Sequence, residues 1–359
     1  MVIAEFGGAL NHCAMSRRYA ATQPLEGASM RALFTSSRVH LTWALLALGT
    51  LLASCGGGGT SSSATQYTSV AMAGELLTYS IDPVALTYSY TITESQFGLD
   101  GKTGSGTLVR NPDGSYSPSG IPNARIVILP NGLLLGAVRE RFGAAVVTVP
   151  IIGLSNPVST VSTLAATYNF MHRGCLSAVC ATDTGTFVIT ANGTWSSCPS
   201  ANLAAGGCPL GGRTGTLVSL GNGLWQVMEG TINIGTAIGF NSAGQNVLLI
   251  DLKDLRAGGL GIGLVVGSQQ APLTSAQTDG TWIAGTSNGN WAVFTAAGTT
   301  ITVTNLDGVP VNVTGTFTAD SPWQGMATTN AGGMGFLAGN GVYVLETANG
   351  YAEIGVKLR

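Results

Sequence analysis

Charged residues are scarce in this chain of 359 residues, of which only 9% are Asp, Glu, Lys or Arg. The formal net charge is −2, and the chain contains no basic run. A nucleic-acid partner requires clustered Lys and Arg side chains that neutralise phosphates. We therefore expect no nucleic-acid binding.

Histidine is also scarce, and His172 is the only one after Cys55. Ser-His-Asp or Cys-His catalysis would therefore have to use His172. The segment 285–289 has the spacing Gly-x-Ser-x-Gly, but it lies between two strand-like runs and lacks the helix that follows a nucleophile elbow. The sequence thus predicts no enzyme and no cofactor, and a hydrolase that uses Ser287 and His172 is the weakest hypothesis.

Long apolar runs are missing near the N-terminus, where 41–52 is the apolar stretch. It is shorter than the roughly 20 residues that a transmembrane helix needs. Arg31 and Arg38 precede it, and the small residues Ala53 and Ser54 follow it. A charged segment, a short apolar segment and small residues at the cleavage point are typical of a secretory signal peptide.

The segment Leu52-Ala53-Ser54-Cys55, followed by four glycines, resembles the lipobox of bacterial lipoproteins. The resemblance implies cleavage before Cys55, a diacylglycerol on its sulfur and an acyl chain, such as palmitate, on its amine. Several acyl chains give stable anchoring, because each buried CH₂ contributes about 0.8 kcal/mol. Gly56 is not the aspartate that retains many lipoproteins at the inner membrane, so the resemblance favours the outer membrane, facing the periplasm or the cell surface.

The lipobox divides the N-terminal region into three parts. Met30 begins a normal signal peptide, so we expect 30–54 to be the signal peptide and 1–29 to be a mis-assigned extension. Cys13 and His12 then carry no function. The Gly- and Ser-rich segment 55–66 is typical of a flexible tether.

Glycine and β-forming residues dominate the remainder, which contains short aromatic and β-branched runs between Gly, Asn and Asp. This pattern predicts an all-β fold. We expect a small antiparallel β unit at 67–155, and at 160–359 a larger antiparallel meander that forms a β-barrel or a sandwich. A barrel is favoured because closure removes unpaired strand edges.

Four cysteines follow the lipobox, and an even number in an exported chain implies disulfides. We predict the pairs Cys175–Cys180 and Cys198–Cys208, each closing one Gly-, Ser- and Ala-rich loop. Crossed pairings stay open, because spacing alone does not fix connectivity. A zinc site is disfavoured, because neither spacing is the two-residue gap of zinc knuckles and no histidine pair accompanies it.

Five tryptophans are the candidate ligand-lining residues: Trp195, Trp225, Trp282, Trp291 and Trp323. They could line a pocket for an apolar or sugar-like ligand. The alternative is that they fill a barrel core, which is how small barrels pack their interiors. In the carboxylate cluster at 251–254, we expect Asp251 and Asp254 to lie on a solvated turn with a local ion pair to Lys253 or Arg256.

Gly280-Thr281-Trp282, with Lys357 near the C-terminus, is similar to the motif of calycin-type barrels, in which a Gly-x-Trp packs near a late basic residue. One departure is that the calycin motif opens its barrel, whereas Trp282 comes late in the predicted barrel. A β unit plus a barrel on a lipid tether also resembles the lobes of transferrin-binding surface lipoproteins.

These features predict a lipid-anchored envelope protein with a β-barrel that binds a partner. The anchor makes the membrane one partner, and an envelope protein, a host protein or a small apolar ligand is the expected second. The alternatives are a purely structural envelope lipoprotein and a spanning outer-membrane barrel. The spanning barrel is the less favoured, because its strands need about 9–11 residues and many predicted strands are shorter.

Overall fold

The computed structural model describes residues 63–121, 124–142, 145–176, 179–203, 208, 212–242, 244–256, 259–347 and 349–358. The predicted extension, the signal peptide, the lipidation site Cys55 and the tether as far as residue 62 lie outside the described residues. Within these ranges, no helix has both the length and the apolar character needed to cross a bilayer.

The described residues form three antiparallel sheets of eight strands each, and the predicted all-β fold is confirmed. In each sheet, strands that are consecutive in the sequence pair with one another, and the last strand pairs with the first. All three sheets are thus meanders with the same topology. We call them barrels 1, 2 and 3 in chain order.

Barrel 1 occupies the segment that we predicted as a small β unit. A backbone bridge between Tyr116 and Ile126, with both N–H···O distances 2.8 Å, joins its two edge strands, so the sheet curls into a barrel-like unit. Its strands are β1 Thr65–Ala71, β2 Glu75–Asp82, β3 Thr87–Ser95, β4 Thr103–Arg110, β5 Tyr116–Pro118, β6 Val127–Ile128, β7 Leu133–Phe142 and β8 Ala145–Leu154.

Barrel 2 is a closed barrel that follows a single 3-10 turn at Val161–Leu164. Its strands are β9 Ala166–Leu176, β10 Val179–Ile189, β11 Thr194–Pro199, β12 Arg213–Gly221, β13 Leu224–Glu229, β14 Ile232–Ser242, β15 Gln245–Asp254 and β16 Gly261–Gln269.

Barrel 3 is also closed, and it follows a one-turn helix, α1, at Ser275–Thr278. Its strands are β17 Gly280–Thr286, β18 Trp291–Ala297, β19 Thr300–Leu306, β20 Val309–Ala319, β21 Ala327–Thr329, β22 Met334–Leu337, β23 Val342–Glu346 and β24 Ala352–Lys357. The segment 160–359, which we expected to form one barrel-like domain, therefore contains two barrels. The division falls there because β16 pairs back to β9, which leaves β17 to begin a new sheet.

Tight turns hold the meanders together. Asn222-Gly223 joins β12 to β13 and Asp307-Gly308 joins β19 to β20, and all four residues have positive φ. A two-residue type I′ turn requires positive φ at both central positions, which Asn, Asp and Gly adopt most easily. The Asn-Gly and Asp-Gly pairs in the sequence thus mark these hairpins.

Alternation along the strands gives barrels 2 and 3 an apolar interior, and strands that face a neighbouring barrel have an apolar outer face as well. On β15, Leu248 and Leu252 pack inside barrel 2, whereas Val247 and Leu249 face outward. The outward residues join a buried cluster that also contains residues of barrels 1 and 3, such as Ile151 and Ile354. We call this cluster the shared seam, because it packs the three barrels against one another.

Candidate functional site

The interior of barrel 2 contains a cavity of about 70 Å³ with mostly apolar walls. The walls come from alternate residues of the surrounding strands, since every second side chain of a barrel strand points inward. Phe170, Phe187, Val227, Leu248 and Val265 belong to both the cavity lining and the buried interior cluster.

Two tryptophans inside barrel 2 bury their indole N–H groups without an acceptor. Trp195 and Trp225 are both buried, and no hydrogen bond to either Nε1 atom occurs within the part of the chain that the structure describes. Trp195 also lines the cavity. A buried donor without an acceptor costs about 1–3 kcal/mol. A ligand acceptor that reached the Trp195 indole N–H would offset this cost.

A four-residue ion-pair cluster lies at one end of barrel 2, formed by Arg213, Glu229, Asp254 and Arg256. Arg213 donates through Nε and Nη2 to Glu229, at 2.9 and 2.7 Å, and through Nη2 to Asp254 at 2.7 Å. Arg256 donates through Nε to Asp254 at 2.6 Å, and it also pairs with Glu229. The cluster has two cations and two carboxylates, so it is neutral as a unit.

The hydrogen bonds of the cluster keep both carboxylates ionised. Hydrogen bonding from Arg213, with a further contribution from Arg256, lowers the pKa of Glu229 to about 2. Burial by itself would raise the pKa of Asp254, but hydrogen bonds from Arg256 and Arg213 outweigh burial and hold that pKa below its ordinary value. Such bonds favour the charged form of a carboxyl group.

Arg213 also lines the cavity, and its Nη1 atom is buried without an acceptor among the described residues. His172 lies nearby in the lining, 2.9 Å from the Leu260 carbonyl oxygen through Nε2. Burial lowers the pKa of His172, which favours the neutral ring, and Nε2 must carry the proton in order to donate to a carbonyl. No sequence motif singles out Arg213, although its alternation with Leu217 on β12 places both side chains inside barrel 2.

The interior of barrel 3 is filled by aromatic rings instead. Trp282 stacks on Phe294 with ring centroids 6.3 Å apart, Tyr343 packs edge-on against Phe294, and the remaining cavity is about 30 Å³. The Trp282 indole donates to the Thr278 carbonyl oxygen at 2.9 Å, so it has a partner. Trp282 is therefore a core residue.

Lys357 lies over this tryptophan, with Nζ 5.8 Å from the centroid of the Trp282 ring. The same Nζ donates to the Gln277 carbonyl oxygen at 2.9 Å. Trp282 lies on β17, the first strand of its own barrel, and Lys357 ends β24, the last. Trp282 therefore lies on the first strand of its barrel although it comes late in the chain, because two further barrels precede it.

The structure separates the five candidate tryptophans. Trp195 and Trp225 lie inside barrel 2 and Trp282 lies inside barrel 3, whereas Trp291 belongs to the shared seam. Trp323 packs against the seam and donates from Nε1 to Asn169 Oδ1 of barrel 2 at 2.9 Å. They do not converge on one pocket.

Both disulfides lie at the end of barrel 2 that carries the ion-pair cluster, and their pairing is the one that we predicted. Cys175 and Cys180 are cross-strand partners on β9 and β10, so they do not lie in a loop as we expected. Cys198 likewise lies on β11, whose strand character the sequence analysis missed. The cysteines brace strand ends and leave no free thiol among these four.

The structure does not bring Ser287 and His172 together. Ser287 lies in the turn after β17, where its backbone and side chain hydrogen-bond to Ala352 of barrel 3. His172 lies inside barrel 2. Within the described ranges, no group of three or more His, Cys, Asp or Glu side chains could hold a metal ion.

No protein family and no curated protein matches this chain. Among solved structures, the chain is similar to the DNA polymerase III beta chain of Streptococcus pneumoniae TIGR4, with 10% identity, 83% of this chain and 92% of that chain covered, and a TM-score of 0.11. The C. crescentus beta sliding clamp gives 8% identity, coverage of 83% and 91%, and a TM-score of 0.10. Likenesses with such low TM-scores carry no argument about fold or function.

Proposed function

We propose that this chain is a lipid-anchored protein of the bacterial outer membrane that binds a small ligand inside barrel 2. The anchor rests on the lipobox at Cys55 and on Gly56 after it. Mass spectrometry of the mature N-terminal peptide should find a diacylglyceryl group and an N-acyl chain on Cys55. A Cys55→Ala chain should leave the membrane fraction, and an unchanged membrane fraction would contradict the anchor.

The observation that carries the ligand site is the pair of unmet donors on one apolar cavity, Trp195 Nε1 and Arg213 Nη1. Donors without acceptors select a ligand that carries an acceptor. The cavity, at about 70 Å³, is roughly half of the 150 Å³ that admits benzene, so the ligand has only a few heavy atoms.

The charges on the cavity walls favour a neutral acceptor over an anionic one. Glu229 and Asp254 already neutralise Arg213 and Arg256, and Asp183 adds a further carboxylate to the lining. A ligand carboxylate would add an unpaired charge to a buried site, which is costly. A short ketone, ester or amide would supply a carbonyl oxygen without adding charge.

Isothermal titration with butan-2-one, butyrate and butan-1-amine tests this site. Butan-2-one should bind more tightly than either charged compound. Trp195→Phe removes one donor and keeps the ring, so it should weaken ketone binding by about 2- to 13-fold, the value of one hydrogen bond. Trp225→Phe is the matched control, because Trp225 does not line the cavity. Equal effects of both substitutions, or preferred binding of butyrate, would contradict the proposal.

The polarity of the barrels favours this proposal over a spanning barrel. The interiors of barrels 2 and 3 are apolar clusters, whereas bacterial spanning barrels have polar interiors and an apolar outer band. The outward residues of β20 are largely exposed and include Thr314 and Thr316.

A second candidate function is the docking of a protein partner on the disulfide end of barrel 2. Four exposed apolar side chains lie on the hairpins at this end: Leu176, Val179, Ile232 and Leu255. Exposed apolar clusters are typical of interaction sites. Whole-cell proteolysis tests whether this end is accessible, and complete protection in intact cells would count against a surface partner.

A further inference from the structure

A cleft of about 480 Å³ lies between barrel 1 and barrel 3, far larger than the cavity of barrel 2. Barrel 1 contributes Asp113, Ser117 and Arg125 to its walls, and barrel 3 contributes Trp291, Asn305 and Asp307. Small-molecule sites typically have volumes of roughly 300–1,000 Å³. The cleft has the size of a binding site, and its walls come from two units that only the tertiary fold brings together.

Two hydrogen-bond donors on these walls can form bonds beyond those within the protein. Arg125 donates through Nη1 to Ser117 Oγ at 2.7 Å, and the described residues offer it no ion pair. Trp291 is only 3% exposed, and its indole N–H has no acceptor in the described part of the chain. A donor that is buried against a cleft and lacks an acceptor within the protein is placed to meet a ligand.

Acceptors line the same cleft. Asp307 accepts from the Trp291 backbone N–H through Oδ1 at 2.7 Å, which fixes its carboxylate at the start of β18. Asp113 accepts from the Ser115 N–H and hydroxyl at 2.9 and 2.6 Å. Each carboxylate has about four lone-pair sites, so both keep acceptor capacity for a ligand.

The charges on the walls disfavour an anionic ligand, because two carboxylates, those of Asp113 and Asp307, outnumber the single guanidinium group of Arg125. Hydroxyl groups, which both donate and accept, complement a wall that carries donors and acceptors together. We propose that this cleft binds a neutral carbohydrate, with Arg125 and Trp291 donating to its oxygens and Asp113 and Asp307 accepting from its hydroxyls.

Titration of the full chain with glucose, maltose and glucuronate tests this assignment. The neutral sugars should bind more tightly than glucuronate. In a ¹H–¹⁵N spectrum, they should shift the Trp291 indole resonance, identified with Trp291→Phe, and leave the Trp225 resonance in place. The binding spectra are recorded on the unsubstituted chain, so they do not depend on how a substituted chain folds.

Arg125→Gln should weaken maltose binding roughly 10-fold or more, because it removes a charged hydrogen-bond donor. Arg110→Gln is the matched control, since Arg110 is an exposed arginine of barrel 1 outside the cleft lining. The proposal is overturned if no neutral sugar binds saturably, if glucuronate binds more tightly than glucose, or if the two arginine substitutions have equal effects. The cleft and the barrel 2 cavity share no lining residue. A lack of binding at one of them therefore does not count against the proposal for the other.

Discussion

Replacement of Asp251 by leucine should stabilise this protein. Asp251 lies on β15 and faces away from the interior of barrel 2, and its side chain is only 1% exposed. Neither carboxylate oxygen has a hydrogen-bond partner among the described residues. Burial raises the pKa of Asp251 well above its ordinary value, and the carboxylates of Glu94 and Glu75 raise it further, against the opposing effect of Lys253.

The size of the expected stabilisation follows from the cost of burying the Asp251 carboxyl group without a hydrogen-bond partner. Burying a polar group without a partner costs about 1–3 kcal/mol. Leucine branches at the same carbon as aspartate, so Asp251→Leu replaces the two oxygens by methyl groups without opening a cavity. We expect a gain of about 1–3 kcal/mol in the free energy of unfolding at pH 7.

The gain should grow with pH. Because the folded pKa of Asp251 is raised, the folded protein retains a proton that the unfolded chain releases near its ordinary pKa of about 3.9. The contribution of Asp251 to stability is therefore fully present below pH 3.9 and is lost as the pH rises through the folded pKa. The gap between Asp251→Leu and the parent chain should be smallest at pH 4 and largest at pH 8.

Urea unfolding followed by tryptophan fluorescence at pH 4, 6 and 8 measures this gap, provided that the denaturant slope is unchanged. Asp251→Asn is the control, because it also removes the titration but keeps an unmet polar group. It should remove the pH dependence with less gain in stability. A loss of stability in Asp251→Leu at every pH, or a gap that does not vary with pH, would refute the reasoning.

Three further predictions concern barrels 2 and 3. Glu229→Gln should cost about 1–2 kcal/mol at pH 7 after allowance for screening. Its thermal melts should lose less stability than those of the parent chain as the pH falls from 4.5 towards 2, because the stabilisation from the lowered pKa of Glu229 is lost over that range; an unchanged acid profile would count against the ion-pair cluster. Removing Cys198–Cys208 should cost about 3 kcal/mol and removing Cys175–Cys180 about 2 kcal/mol, because the first closes the longer loop. Chemical unfolding of the two double-alanine chains should give that order, and the reverse order would contradict it. Lys357→Met should lower stability by about 1–2 kcal/mol through loss of the cation–π contact and the hydrogen bond of Lys357. Urea unfolding followed by tryptophan fluorescence measures this loss, and an unaltered midpoint would show that the contact adds nothing.

The sequence predicted the strands better than it predicted their assembly. The sequence predicts strands at Leu224–Glu229 and Val342–Glu346, and β13 and β23 have these bounds. The Asn-Gly and Asp-Gly turns fall between paired strands. The sequence patterns predict no strand at β1, β2 or β11. The alternation that could have revealed β2 is present, since Leu77, Tyr79 and Ile81 are all buried on one face.

The number of barrels could not be obtained from local patterns. Closure depends on the pairing of β9 with β16 and of β17 with β24, and these strands are far apart in the sequence. The segments Gly193-Thr194-Trp195 and Gly280-Thr281-Trp282 are similar, and of two interpretations, related hairpin sets in one barrel or a common way to enter a strand, the sequence favours the second; the structure places the two segments in different barrels. Barrels 2 and 3 also share a hydrogen bond near the start of their first strands. The Tyr168 hydroxyl donates to the Leu164 carbonyl oxygen at 2.6 Å, and the Trp282 indole donates to the Thr278 carbonyl oxygen, in each case four residues earlier in the chain.

The candidate sites illustrate the same limit. Opposite strand parity predicts that Asp251 and Asp254 face different sides, and they do. Our expectation of a solvated turn was wrong for both, because both are buried on β15, whereas the expected ion pair to Arg256 forms at Asp254. Asp251 is buried because barrel 1 packs on the outer face of β15. The residues at 251–254 contain no pattern that predicts this packing. Arg125 and Asp307 line the same cleft only because the tertiary fold brings barrels 1 and 3 together. The sequence around either residue therefore could not predict the other as a neighbour.

The order of strand pairing has a consequence for folding during synthesis. Each barrel is made of consecutive strands, so it could close as soon as its own eighth strand leaves the ribosome, without waiting for the rest of the chain. The shared seam is different, because the apolar residues that barrel 1 contributes to contacts with barrels 2 and 3 stay uncovered until those barrels have followed. An emerging chain would therefore present folded intermediates with exposed apolar surface, and chaperones that bind such surface should matter most after the first barrel has emerged and before the third is complete.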